Sequence, residues 1–229
     1  MGRLIDGKWK KSSIITSDKK GNYARLPRNF RGSISKAGPF NPVSGRYHLY
    51  VSYACPWAQR TLIYRELKEL QNHISLSVVH PEMMDKGWTF EDNFSNATGD
   101  KLYEKNHLFE IYQKAKSDVS TSVTVPVLWD KKLKTIVNNE SSEIIRFFNQ
   151  EFNMLTGNKN DYYPKRYRDD IDKINEKIYH TINNGVYKSG FAENQKAYDD
   201  AIEKLFKSLD EIDQILEGKN FLIGNKLTE

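Results

Sequence analysis

The feature that most constrains this chain is a switch of hydrophobic period between residues 46 and 79. Tyr47-His48-Leu49-Tyr50-Val51-Ser52 is rich in aromatic and β-branched residues and reads as a strand. Pro56 to Leu70 then carries Leu62, Ile63, Leu67 and Leu70 in a helical pattern, and Ile74-Ser75-Leu76-Ser77-Val78-Val79 reads as a second strand. Strand, helix and strand in so short a span predict a βαβ unit with a parallel pair, because only a crossover connection can return the chain to a parallel neighbour.

The connection over residues 81 to 120 contains Trp88, and a helix is expected over Tyr103 to Lys116, where Ile111 and Ala115 continue an apolar stripe. Val125-Pro126-Val127-Leu128-Trp129 and Leu133-Lys134-Thr135-Ile136-Val137 are β-rich runs separated by the polar Asp130-Lys131-Lys132, which predicts a hairpin. Asn139-Glu140-Ser141-Ser142 precedes Ile144, Ile145, Phe147 and Phe148, so a helix is expected to open at the Glu140-Ser141 pair. The order βαβαββα over residues 46–151 is that of a thioredoxin-like α/β domain.

The flanks differ in texture. Residues 1–45 are polar, punctuated by Gly21, Gly32, Gly38, Pro39, Pro42 and Gly45, and without a sustained period they are expected to form an extended arm. Beyond Pro164 the period is helical. Ile171, Ile174, Ile178 and Ile182 mark one helix, and Tyr198, Ile202, Leu205, Leu209, Ile212 and Leu216 mark another that ends near Gly218. Residues 164–229 are thus expected as an all-α domain. Thr228 stands where an N-cap would open a further helix, so that domain is expected to be C-terminally incomplete.

With 229 residues, 38% of them hydrophobic, the chain can bury one sizeable core or two smaller ones. No stretch approaches the length of a membrane span, and Met1-Gly2-Arg3-Leu4-Ile5-Asp6 lacks the apolar run of a signal peptide, so a cytoplasmic protein without a membrane partner is expected. The net charge of +5 does not point to nucleic acid, because basic and acidic residues alternate, as in Arg166-Tyr167-Arg168-Asp169-Asp170. His48, His73, His80, His107 and His180 show no metal-ligand spacing, and no metal is expected.

Cys55 is the single cysteine, so no intrachain disulfide can form and a reducing compartment is its natural setting. It lies after a strand, and Cys55-Pro56-Trp57-Ala58 opens a helix. A thiol there meets the positive end of the helix dipole and unpaired amides, both of which favour thiolate. Pro56 suits the first helical turn. Ala58 fills the place where a dithiol motif puts its second cysteine, so an external thiol, most simply glutathione, must resolve any mixed disulfide. The alternative is a buried structural cysteine. Val125-Pro126 at a strand start is a candidate cis peptide whose turned-out Val125 backbone would pair with an extended peptide, or an ordinary edge-strand proline. At Glu140-Ser141, the hydroxyl and helix amides suit a carboxylate and Glu140 suits an ammonium, the two groups at the γ-glutamyl end of glutathione; a plain helix cap is the commoner explanation of an isolated Glu-Ser pair.

Arg46 to Ser52, Cys55-Pro56-Trp57-Ala58, Arg60-Thr61-Leu62, Val78-Val79-His80-Pro81, Gly87-Trp88-Thr89-Phe90, Val123 to Asp130, Asn138 to Ile145 and Ile178 to Tyr187 together resemble the glutathionyl-hydroquinone reductases, the Xi class of glutathione transferases. The likeness runs through nearly the whole chain. It implies a helical domain of the glutathione-transferase type and an enzyme that removes glutathione from glutathionyl-hydroquinones, with Cys55 as nucleophile and glutathione as co-substrate. It also implies glutathione contacts at Trp88, Val125, Pro126, Glu140 and Ser141, and a tyrosine, Tyr187, facing the aromatic substrate. Trp88 otherwise reads as a core aromatic and Tyr187 as a surface or interhelical one. Where the family places a basic residue before Val-Thr-Val-Pro, this chain has Ser122, so glutathione's other carboxylate would need a different cation. Family chains continue after Leu-Thr-Glu with helices that supply a further tyrosine and much of a dimer contact; a homodimer is compatible with the resemblance. Two other functions use parts of the same site: a general cysteine-type thioltransferase or dehydroascorbate reductase, and a noncatalytic glutathione-binding fragment.

Overall fold

The computed structural model describes residues 2–11 and 16–229 and resolves the chain into two compact units. One contains residues 2–11 and 27–160; the other contains residues 16–26 and 161–229.

Residues 1–45, expected to run as an extended arm, carry two short hairpins instead: β1 (Gly2–Ile5) with β2 (Lys8–Lys11), and β3 (Thr16–Ser17) with β4 (Tyr23–Ala24). The first belongs to the α/β unit. Leu4 is fully buried and exchanges two backbone hydrogen bonds with Thr121, and Trp9 stacks on Phe109 with ring centroids 5.0 Å apart. Farther on, Gly32 N–H donates to the Val137 carbonyl and Ile34 is buried, so this polar stretch covers a sheet edge that would otherwise expose its ladder. Such pairing is made by backbone groups, which explains why no side-chain period announces it.

The sheet of the α/β unit has the order β6-β5-β7-β8, built from β5 (Tyr47–Val51), β6 (Ile74–Val78), β7 (Val127–Asp130) and β8 (Thr135–Asn138). β5 pairs parallel with β6 and antiparallel with β7, and β7–β8 is the expected hairpin. Every residue of β5 is buried, as a central strand covered on both faces requires. His48 is accommodated there by a 2.7 Å hydrogen bond between Nδ1 and Ser75 Oγ, and burial, aided by Lys131, Lys101 and Arg65, pushes its pKa down to about 3. Asp130 fixes the hairpin turn: its Oδ1 accepts from Lys132 N–H at 2.8 Å and Leu133 N–H at 3.2 Å, while the Arg46 guanidinium pairs with the same buried carboxylate.

Helices α1 (Pro56–Leu67), α2 (Leu108–Ala115) and α3 (Ser141–Gln150) complete the βαβαββα order, followed by the single turn α4 (Asn153–Thr156). α1 ends before Leu70 because Glu69 adopts positive φ, and Ile63 of the expected stripe is 46% exposed. The buried Lys68 that follows α1 donates to the backbone carbonyls of Asn158 and Asn160. α2 starts five residues later than expected, since Asp100 accepts from Leu102 N–H and Lys105 N–H and holds that stretch in turns.

In the other unit, α5 (Arg168–Ile178) runs through a π-helical turn over Tyr179–Asn183 into α6 (Gly185–Gly190), and α7 spans Gln195–Leu216. Asn194 caps α7 by accepting from Ala197 N–H at 2.9 Å. The buried residues of α7 are Ala197, Ala201, Leu205 and Ser208, so the inward face is rotated from the expected one: of the apolar series only Leu205 is buried, and Tyr198 and Leu209 are exposed. Gly185 contributes to this. A Cβ added at Gly185 would sit 3.4 Å from Leu205 Cδ1, a close approach of α6 to α7 that larger residues would hold apart.

Candidate active site

The loop after β5 delivers Cys55 to the N-cap of α1. Cys55 N–H donates to Ser52 O at 3.1 Å, the Cys55 carbonyl accepts from Ala58 N–H and Gln59 N–H at 3.1 and 3.0 Å, and Pro56 takes the first helical position. The side chain is half-buried and makes no capping bond of its own, which leaves the sulfur beside the helix's amino-terminal amides. Its Sγ lies 3.6 Å from the carbonyl oxygen of Val125. The Val125–Pro126 peptide is cis.

The second cluster forms at the start of α3. Glu140 is its N-cap, with Oε1 accepting from Ser142 N–H at 3.3 Å and from the Ser142 hydroxyl at 3.1 Å. The buried Ser141 is its first residue, and its Oγ accepts from Arg60 Nε at 2.9 Å and Nη2 at 2.8 Å. Arg60 Nη2 also stands 3.7 Å from Glu140 Oε1, and the guanidinium lies 5.5 Å from the Trp57 ring centroid.

The structure therefore joins Cys55 to Val125 and Glu140 to Ser141, and α1 carries groups that reach both pairs. Trp88 sits in the loop before α2, 9% exposed, with its carbonyl accepting from Leu108 N–H at 3.0 Å. Gly87 beside it has φ +78°, and an added Cβ would meet the Trp9 ring at 2.9 Å, so the loop turns where only glycine fits. Ser122 is half-buried two residues after Ser120, whose hydroxyl accepts from Asp6 N–H.

Tyr187 belongs to the helical unit. Its ring stacks on Tyr23 at 5.9 Å and 22°, packs at 6.1 Å from Phe191, and has the Arg25 guanidinium 4.6 Å from its centroid. Arg25 is held in turn by a 2.6 Å bond from Nε to Asn184 Oδ1. Sequence reasoning assigned no role to Arg60, Tyr23 or Arg25. For Arg60 there was a usable signal, its position in the second turn of the helix that Cys55 begins. For the arm residues there was none, since no local pattern couples them to a helix some 160 residues away.

Among the described residues no group of three or more His, Cys, Asp or Glu side chains could hold a metal ion, and no helix is long and apolar enough to cross a membrane.

A thioredoxin-like unit with a cysteine at the start of its first helix and a cis-proline loop against the sulfur, in a chain that also folds a mainly helical unit, defines a glutathione transferase. A family model described as "Glutathione S-transferase, N-terminal domain" matches residues 54–151. Over its full length the chain is 50% identical to glutathionyl-hydroquinone reductase YqjG of Escherichia coli, covering 72% of that protein, and 44% identical to glutathionyl-hydroquinone reductase PcpF of Sphingobium chlorophenolicum, again covering 72%. Among solved structures, the Xi glutathione S-transferase of Phanerochaete chrysosporium superposes with a TM-score of 0.91 at 51% identity, over 93% of this chain and 69% of that one. The glutathione-bound YqjG structure superposes with a TM-score of 0.88 at 48% identity, over 99% of this chain and 70% of that one. The chain belongs to the glutathionyl-hydroquinone reductase family, the Xi class of glutathione transferases.

Proposed function

We propose that the protein reduces glutathionyl-hydroquinones to hydroquinones with glutathione as co-substrate, using Cys55 as the nucleophile. The observation that carries the reading is the placement of the chain's single cysteine at the N-cap of α1, 3.6 Å from the Val125 carbonyl, with Ala58 where an internal resolving thiol would stand. A sulfur so placed can form a disulfide only with a thiol from outside the chain. Relatives that bear the reductase name, and one whose structure holds glutathione, agree with this chemistry.

In the first half-reaction the Cys55 thiolate attacks the glutathione sulfur of the adduct. A sulfur–sulfur bond forms, the bond from sulfur to the ring carbon breaks, and its electron pair stays on that carbon, which takes up a proton to give the free hydroquinone. In the second, the thiolate of another glutathione attacks the glutathionyl sulfur of the mixed disulfide, releasing oxidised glutathione and restoring the Cys55 thiolate. Ping-pong kinetics follow.

The segment 46–151 is the proposed glutathione-binding domain. Backbone groups of Val125, beside Pro126, pair with the extended tripeptide as an added strand. Ser141 and the α3 amides take the γ-glutamyl carboxylate, Glu140 takes its ammonium, and Trp88 lines the same pocket. Within the helical domain proposed at 164–229, Tyr187 is the group that donates a hydrogen bond or proton to the departing hydroquinone. A reducing, cytoplasmic setting suits a mechanism that needs a free thiol and a glutathione supply.

The test is intact-mass analysis after mixing the protein with the glutathione adduct of menadiol, beside Cys55→Ser. One added glutathionyl mass on the parent, absent in the variant and lost when glutathione is supplied, is expected. A folded parent that takes up no glutathionyl group would reject the reading.

A further inference from the structure

We infer that Arg60 is a positioning residue for glutathione, acting by aiming the Ser141 hydroxyl and the Glu140 carboxylate at the γ-glutamyl group; the inference rests on the thiol-transfer reading above. A serine hydroxyl has one proton and two lone pairs. Arg60 donates to Ser141 Oγ from both Nε, at 2.9 Å, and Nη2, at 2.8 Å, so the oxygen's accepting capacity is taken up by a fixed cation. What the hydroxyl has left is donation, and the group best served by a donor at the amino-terminal end of α3 is a carboxylate.

The same guanidinium acts on the neighbouring residue. Glu140 Oε1 accepts from the Ser142 amide and hydroxyl and stands 3.7 Å from Arg60 Nη2, so the carboxylate is fixed in direction. An ammonium is the natural complement, and an amino acid's ammonium and carboxylate are adjacent on one carbon. The orientation that Arg60 imposes on Ser141, and the one it shares with Ser142 in setting for Glu140, thus match one end of one ligand.

Arg60 also sets a distance. It shares α1 with Cys55, five positions along a helix that rises about 1.5 Å per residue, so its offset from the nucleophile is roughly 7.5 Å along the axis. That is close to the span of two extended residues at about 3.3 Å each, the scale of the γ-glutamyl-cysteinyl part of glutathione, which carries the thiol on the tripeptide's central residue. The Trp57 ring, 5.5 Å from the guanidinium, limits its sweep. Ser141 is not fixed this way by a helix cap alone, which would leave its hydroxyl free to rotate.

The test compares two thiols in the resolving half-reaction. Parent and Arg60→Gln are loaded at Cys55 with the menadiol–glutathione adduct, and loss of the glutathionyl mass is followed with glutathione or with 2-mercaptoethanol, which has no γ-glutamyl group. Arg60→Gln is expected to lower the glutathione rate at limiting thiol by about tenfold, the scale of one charge-assisted hydrogen bond, with the 2-mercaptoethanol rate within twofold of the parent. Adding Ser141→Ala to Arg60→Gln is expected to cost less than twofold more, because both changes remove one unit. If Arg60→Gln does not fold, Arg60→Lys keeps the charge without the planar fork and reads the same comparison. Equal losses toward both thiols, or fully additive losses in the double variant, would overturn the role of Arg60 while leaving the Cys55 cycle intact; failure of the parent to load would instead remove the thiol-transfer reading.

Discussion

β5 and α7 are both long apolar readings in the sequence, and they behave differently. In β5 every residue is buried, and its neighbours on both sides are fixed by backbone pairing. In α7 the helix forms over the expected span, yet Tyr198, Phe206 and Leu209 face outward while Ala197, Ala201 and Ser208 face in. A strand inside a sheet has its two faces assigned by the pleat and by its partners. A helix has a continuous choice of rotation, settled by how closely its neighbour approaches, and here Gly185 lets α6 come close to Leu205. Apolar content therefore reports burial in the sheet and only helicity in α7.

Three measurements would break or sharpen that contrast. The largest effect is expected at the sheet's hairpin: Asp130→Ala strands the buried Arg46 and removes the oxygen that accepts from two turn amides, and should destabilise the protein by about 4 kcal/mol in denaturant unfolding. A loss below about 1 kcal/mol would mean that the hairpin is not anchored by this pair.

A smaller effect, unit by unit, concerns pH. Burial holds the His48 pKa down to about 3, against an ordinary value of 6.5, so the unfolded chain binds a proton that the folded one refuses between those values. Stability is then fully present above pH 6.5 and falls as acid is added, by up to about 1.4 kcal/mol per pH unit through that window. Thermal melts of His48→Gln should show a shallower acid dependence than the parent. Identical pH slopes would place the titrating group elsewhere.

The smallest effect is expected on α7. Leu209→Ser should change stability by less than about 0.5 kcal/mol, as an exposed position does, although the sequence places it on an apolar stripe. A loss of about 2 kcal/mol or more would show that this face is covered in solution.

The elements that were legible share a physical trait: they are dictated by residues close together in sequence. Asp130-Lys131-Lys132 marks the β7–β8 turn, Cys55-Pro56 marks the start of α1, and Glu140-Ser141 marks that of α3, because turns and caps are local contracts between a side chain and nearby amides. The cis peptide at Val125–Pro126 was likewise foreshadowed by a proline at a strand's edge. What stayed hidden depends on groups far apart. The Leu4–Thr121 pairing is made by backbone atoms, the Arg60–Ser141 bonds join two helices, and the Tyr23–Arg25–Tyr187 stack unites opposite ends of the chain. The start of α2 lies later than the apolar stripe predicts for a related reason, since Asp100 captures the amides of Leu102 and Lys105 and holds in turns a stretch that the stripe includes in a helix.

The allotment of residues 16–26 to the helical unit has a consequence for the order of assembly. The chain enters that unit, leaves it for more than a hundred residues, and returns at 161. No single cut divides the molecule into its two units, and a ribosome releasing the chain from its amino terminus would finish the whole four-stranded sheet before β4 could meet α6. The hairpin of the helical unit must wait, flanked on both sides in the chain by residues of the α/β unit, for its partner to be synthesised. A protein begun at residue 27 would retain every strand of that sheet and lose Tyr23 and Arg25, the two side chains that the early segment holds in trust for Tyr187.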